Sequence, residues 1–201
     1  ERTEFYYCEA IIKQAALSNF AISFTLTHNN KLIYKLPQAT SPQQIQQRIA
    51  KLSSSDFMAN CLTLDATHGE YQLTGYSCLP SFSSTKADLQ FMFVNGRMVK
   101  DKLINQAVRS AYKDVLYRNR YPAFVLYLHM PHSEVDVNVH PTKTEVRFAN
   151  GNFVYNYIAH SLEQLLQEVR PADQLTSLPI NITERQQHNN TPSVPLQQPE
   201  L

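Results

Sequence analysis

Two stretches of this 201-residue chain hold residues whose types and spacing suit them to chemistry. Between positions 97 and 120, seven basic residues (Arg97, Lys100, Lys102, Arg109, Lys113, Arg118 and Arg120) stand against Asp101 and Asp114, a local net charge of +5. The whole chain carries 18 Lys+Arg and 17 Asp+Glu, so the remainder has 11 against 15 and the overall +1 conceals a separation of charge. A helix is predicted from about Asp101 to Tyr117. Its spacing puts Lys102, Gln106, Arg109 and Lys113 in one row and Ile104, Val108, Ala111 and Val115 nearly opposite. Long cations in such a row can meet successive phosphates of a nucleic-acid backbone without reading its sequence. A solvated helix face has the same pattern, and the spacing leaves both readings open. The second stretch is SEVDVNVHPTKTEVRF. His140-Pro141 forces an extended or turning backbone there and sets Lys143 at a strand end or loop apex. At that place it is either a point charge for a phosphate or an ordinary surface lysine.

Other chemistries find little support. Gly69, Gly75, Gly96 and Gly151 lie too far apart for a glycine-rich phosphate loop, so the main cradle of any nucleotide lies outside these residues. Cys8, Cys61 and Cys78 are odd in number, widely spaced and without a CxxC pair. They argue against a zinc knuckle or a disulfide framework and fit a reducing, cytoplasmic setting. His129, His132 and His140 lack an acidic partner at metal-ligand spacing, so no metal site is expected. No serine sits in a strand–turn–helix elbow, which leaves a hydrolase triad unsupported. Tyr6, Tyr7, Tyr155 and Tyr157 fall at core-like helical spacing and predict packing rather than base stacking. No run of about 18 apolar residues exists to cross a membrane.

The elements that must position these residues follow from periodicity. Phe5, Cys8, Ile12 and Ala15 predict an opening helix to about Asn19. FAISFTLT and KLIYKL predict strands about a His28-Asn29-Asn30 turn. Ser41 and Pro42 cap a helix through Leu52. CLTLDAT and YQLTGYSCL pair through His68-Gly69, a Ser-rich loop covers 81–88, and DLQFMFVNGRMV reads as one long strand. AFVLYLHM is apolar on both faces, as a buried central strand must be. VDVNVH turns Val135, Val137 and Val139 inward, and an amphipathic helix runs from Gly151 to Arg170. Strands and helices mix without a doubly wound repeat, so the class is α+β. From Pro171 onward, Pro, Gln and Asn supply 13 of 31 residues and apolar periodicity ends. The expected division is a folded domain over 1–170 and a disordered linker over 171–201. The chain opens at Glu1 directly into a helix and reads as a piece of a longer protein.

Taken together, QFMFVNGRMVKDKLINQAV and PAFVLYLHMPHSEVDVNVHPTKTEVRF resemble the transducer domain of MutL-type DNA mismatch-repair ATPases, in order and in spacing. ERTEFYYCEAIIKQAALSNF is similar to that family's first transducer helix. The resemblance covers about residues 1–170, least distinctively over 38–88. It implies a ribosomal-protein-S5 domain 2-like fold, a mixed sheet with helices packed on one side, set beside a GHKL-type ATPase domain. It assigns Lys143 of the HPxK motif to the γ-phosphate of ATP (with Mg) bound on that neighbouring domain. It places Arg97, Lys100 and Lys102 in a DNA groove, to which the helix row adds Arg109 and Lys113. It further implies a full-length homodimer and a mismatch-recognition partner of the MutS type. The fragment itself is expected neither to bind nor to turn over ATP alone. Competing resemblances are the transducer of another GHKL ATPase, such as a type II topoisomerase subunit, and a stand-alone S5-like nucleic-acid-binding module.

Overall fold

The computed structural model describes residues 2–137 and 145–168. Helix α1 (Arg2–Ser18) leads into the hairpin β1 (Phe24–His28) and β2 (Lys31–Leu36). Asn29 and Asn30 turn that hairpin at φ of 49° and 60°, the left-handed pair that a two-residue turn needs and that asparagine tolerates. Ser41 caps α2 (Pro42–Leu52) reciprocally: its Oγ accepts from the Gln44 amide and the Gln44 side chain accepts from the Ser41 amide. A short helix not foreseen in the sequence, α3 (Ser55–Ala59), follows. Then come β3 (Cys61–His68), β4 (Tyr71–Cys78), β5 (Ser83–Ser84), β6 (Gln90–Val94) and β7 (Arg97–Val99). Helix α4 (Lys102–Ala111) precedes β8 (Tyr121–Pro122), β9 (Phe124–His129), β10 (Val135–Asp136), β11 (Arg147–Phe148) and α5 (Gly151–Glu168).

The main sheet has five strands in the order β3-β4-β9-β6-β7. Strand β9 pairs antiparallel with β4 and parallel with β6, so the sheet is mixed and the class α+β, as expected. Strand β9 is central and buried on both faces, as its unbroken apolar run requires. Phe124, Leu126 and Leu128 point to one core, with Ile104 and Val108 of α4 and Ile158 and Leu162 of α5. Val125 points to the other, with Leu17 of α1, Ile49 of α2 and Phe57 of α3. Helices α4 and α5 thus share one face, and the opposite face is covered as well, by the N-terminal helices.

Four local expectations are corrected. DLQFMFVNGRMV is not one strand but the hairpin β6–β7, because Asn95 and Gly96 both take positive φ (48° and 78°) and reverse the chain. Helix α4 stops at Ala111 rather than Tyr117. The fully buried Tyr112 caps it, its hydroxyl bonded to the Cys78 carbonyl and to Ser77 Oγ, which pins the helix end to β4. Cys61 and Cys78, expected as separate thiols, are register partners at the end of the β3–β4 hairpin and form a disulfide; spacing alone could not reveal a pairing set by strand register. Tyr6 and Tyr7 are 65% and 64% exposed rather than packed, whereas Tyr155 and Tyr157 do lie against the core.

Arg48 joins α1 to the rest. It is buried on α2, and its guanidinium donates to the carbonyls of Ala16, Asn19, Ile22 and Pro37. The Ala16 carbonyl, one of the last of α1, is thereby satisfied from another helix. The Arg48 guanidinium also lies 5.7 Å from the Phe20 ring centroid and 5.9 Å from that of Phe24.

Gly75 sets the closeness of β4 to β9. A methyl group added there falls 2.2 Å from the Val125 carbonyl oxygen, and the backbone already stands at φ +130°. Gly75→Ala is expected to cost about 3 kcal/mol or more, since neither strand backbone can yield alone. Urea unfolding should show a clearly lower midpoint at an unchanged slope; a midpoint equal to the parent's would refute this close approach.

Candidate nucleic-acid interface

The basic surface rests on β7 and α4, and Asn95 fixes where both begin. Its side-chain amide donates to the Met130 carbonyl and its amide oxygen accepts from the Met130 amide, each at 3.0 Å. In that way one side chain extends the β9 hydrogen-bonding edge into the hairpin turn. Arg97 consequently stands on an edge strand opposite Val94. Two residues past β7, Asp101 adopts an extended backbone and accepts from the amides of Leu103 (2.8 Å) and Ile104 (3.1 Å). The cap satisfies otherwise orphaned amides and aims α4. It also commits the carboxylate to the helix rather than to the flanking lysines.

Arg97, Lys100, Lys102, Arg109 and Lys113 are all exposed. Ile104 and Val108 are buried behind them, so α4 separates its faces as the spacing predicted. None of the five forms an ion pair among the described residues. They do not form one cluster, however. Lys113 lies just beyond the α4 cap, and with Arg109 it lines a groove of about 330 Å³ together with Arg118 and Arg120. Lys100 lines a separate cleft of about 400 Å³ against α1, where Tyr6, Glu9 and Lys13 lie. In that cleft Glu9 accepts from the Tyr34 hydroxyl at 2.6 Å and pairs with Lys13 at 3.1 Å. The Tyr34 hydrogen bond holds the Glu9 carboxyl below its ordinary range. Lys143 lies outside the described residues, between β10 and β11, which pair antiparallel on either side of that segment.

Sequence reasoning passed over Asn95, although the Asn-Gly dipeptide is a strong hairpin signal. It counted Arg118 and Arg120 as charge without giving them a place. The loop after α4 brings them beside Arg109, whose guanidinium lies 5.5 Å from the Tyr121 ring centroid, while Arg120 Nε donates to Ser83 Oγ at 3.2 Å. No group of three or more possible metal ligands occurs among the described residues.

A mixed five-stranded sheet with helices on its faces and an exposed basic edge defines an α+β domain. The same fold is found in a solved structure described as the N-terminal domain of a DNA repair protein (TM-score 0.68, 24% identity, covering 83% of this chain and 54% of that one). Residues 49–167 match the family described as DNA mismatch repair protein, C-terminal domain, and the chain belongs to that family. The DNA mismatch repair protein MutL of Cellvibrio japonicus (strain Ueda107) is 45% identical over 175 residues, 87% of this chain. That of Pseudomonas entomophila (strain L48) is 44% identical over 177 residues, 88% of this chain. The chain spans 28% of the length of each of these relatives.

Asp101→Ala should loosen the start of α4 and lower stability by about 1 kcal/mol, whereas Asp101→Asn should retain most of the cap. Paired chemical-denaturation curves measure the difference. Equal losses in both variants would show that the charge matters rather than the cap.

Proposed function

We propose that this chain is the transducer segment of a MutL-type mismatch-repair protein, linking the nucleotide state of a neighbouring GHKL-type ATPase domain to DNA and to a MutS-type partner. The observation that carries the DNA part is the row of exposed cations on β7 and α4, without ion pairs among the described residues, in a member of a mismatch-repair family. Phosphates are the natural partners of such a row, because contacts to backbone charge need no particular base. Arg97, Lys102 and Arg109 would supply them most directly, with Lys100 and Lys113 at the margins of the row.

The four glycines of this chain do not form a nucleotide cradle. Gly69 and Gly96 serve hairpin turns and Gly75 lies within β4. Gly151 opens α5, where the Phe153 amide is already taken by Asn150 Oδ1 at 3.0 Å. ATP with its Mg would therefore be held by the adjacent domain of a full-length homodimer, with Lys143 as the contribution of this chain. A lysine reaching in from a second domain gains its partner only when the two domains are aligned, so bound nucleotide would favour the aligned state.

In the full-length parent, Lys143→Ala should lower ATP turnover while leaving nucleotide-free DNA affinity near normal. Undiminished turnover would remove Lys143 from the ATP site. Separately, Lys102→Glu and Arg109→Glu should flatten the dependence of log affinity on log salt by about 0.9 for each phosphate no longer neutralised. Titration of duplex DNA across a salt series reads that slope, and an unchanged slope would mark the row as a solvated face.

A further inference from the structure

We propose that the groove beyond the end of α4 is a binding site for one unpaired nucleotide of a DNA strand, with its phosphate on Arg118 and its base stacked on Tyr117. The proposal rests on the reading that the basic face meets DNA, and adds which form of DNA this part of it takes.

The groove holds about 330 Å³ and is lined by Arg109, Lys113, Arg118 and Arg120 with no carboxylate among its lining residues. That volume is at the small end of ligand sites, about 300 to 1,000 Å³. Two of the cations are already fixed as walls. Arg109 lies against the Tyr121 ring, and Arg120 is tied to Ser83 by its Nε. Lys113 and Arg118 have no ion pair, and Tyr117 no ring contact, among the described residues. Tyr117 is 82% exposed, with most of its surface open to a ligand. A tight turn, closed by the Arg120 amide on the Tyr117 carbonyl with Asn119 at φ +60°, brings Tyr117, Arg118 and Arg120 into the lining of the groove.

Cations joined to an open aromatic face describe a surface for unpaired strands. A duplex opens its base edges in the grooves but keeps the base faces stacked on one another, so Tyr117 would find no face to stack on. An unpaired base offers a face to the ring, and any base will do. Acidic peptide segments would use the cations and leave the ring idle. The groove is also continuous with the row on α4, since Arg109 belongs to both and Lys113 follows just past the helix cap. Lys102 and Arg109 are seven residues apart, about 10 Å along the helix, so a strand lying along α4 runs into the groove.

The test uses the intact 201-residue chain and four probes: a short oligo(dT), an abasic strand of equal length, a duplex, and poly-glutamate as competitor. Tyr117→Ala should weaken oligo(dT) binding about tenfold and leave the abasic strand and the duplex unchanged, with Tyr117→Trp restoring affinity. Arg118→Ala should weaken oligo(dT) and abasic strand alike. An unchanged thermal melt shows that the variants remain folded. If Tyr117→Ala weakens duplex and oligo(dT) equally, or neither, the groove is no nucleotide site, although duplex binding by the parent would still uphold the DNA reading. If poly-glutamate displaces oligo(dT) from the parent as readily as abasic strand does, the groove is an acidic-peptide site and the proposal fails. If the parent binds no DNA of any form, both readings fall.

Discussion

Strand β9 is hydrogen-bonded along both edges and buried on both faces, and everything that positions the basic surface is measured from it. Its parallel bond to β6 fixes where the β6–β7 hairpin turns, and Asn95 completes that edge by clasping Met130. Its upper core layer, Phe124, Leu126 and Leu128, seats α4. On the other face Tyr127 donates to the Leu17 carbonyl at 2.9 Å, which anchors the end of α1. Burial raises the Tyr127 hydroxyl far above its ordinary range, so it serves as a lasting donor there. A strand placed this way cannot shift by one residue without exchanging its two cores, because alternate side chains belong to different ones.

Much of this was legible because the responsible signals are local. The Ser41-Pro42 cap, the Asn29-Asn30 turn and the two-faced apolar run of β9 each state a backbone geometry within a few residues. The separation of cations from apolar residues on α4 was readable for the same reason. What escaped depended on distant partners. Tyr112 ends α4 through atoms of β4 some 34 residues earlier in the chain, and helical periodicity alone would have continued to Tyr117. Cys61 meets Cys78 only through the β3–β4 register. Arg118 and Arg120 looked like loop charge because nothing nearby in sequence says that the loop folds back beside Arg109. The Asn-Gly turn at 95–96 is the exception: the signal was local, and a strong apolar run masked it.

The charge pattern gains meaning from where the acids go. Asp101 stands between two lysines in sequence, and its Oδ1 accepts from the Leu103 and Ile104 amides. Glu9 bonds to Tyr34 and Lys13 instead of to Lys100 across the same cleft. Both carboxylates keep their charge, but neither pairs with a cation of β7 or α4 among the described residues, and between 97 and 120 seven basic residues still stand against two acidic ones. The near-neutral total is a sum over places that do not cancel locally.

Arg48 donates to neutral carbonyls rather than to a carboxylate. Burial lowers its proton affinity somewhat, yet a guanidinium keeps its charge throughout the range in which proteins fold. The Glu9–Tyr34 contact differs: with the carboxyl held below its ordinary range, the stability it lends is complete at neutral pH and drains away as pH falls through that lowered value. Acid can therefore slacken the outer side of α1 while its inner end stays fastened, so the first helix is mounted like a lever on a fixed pivot.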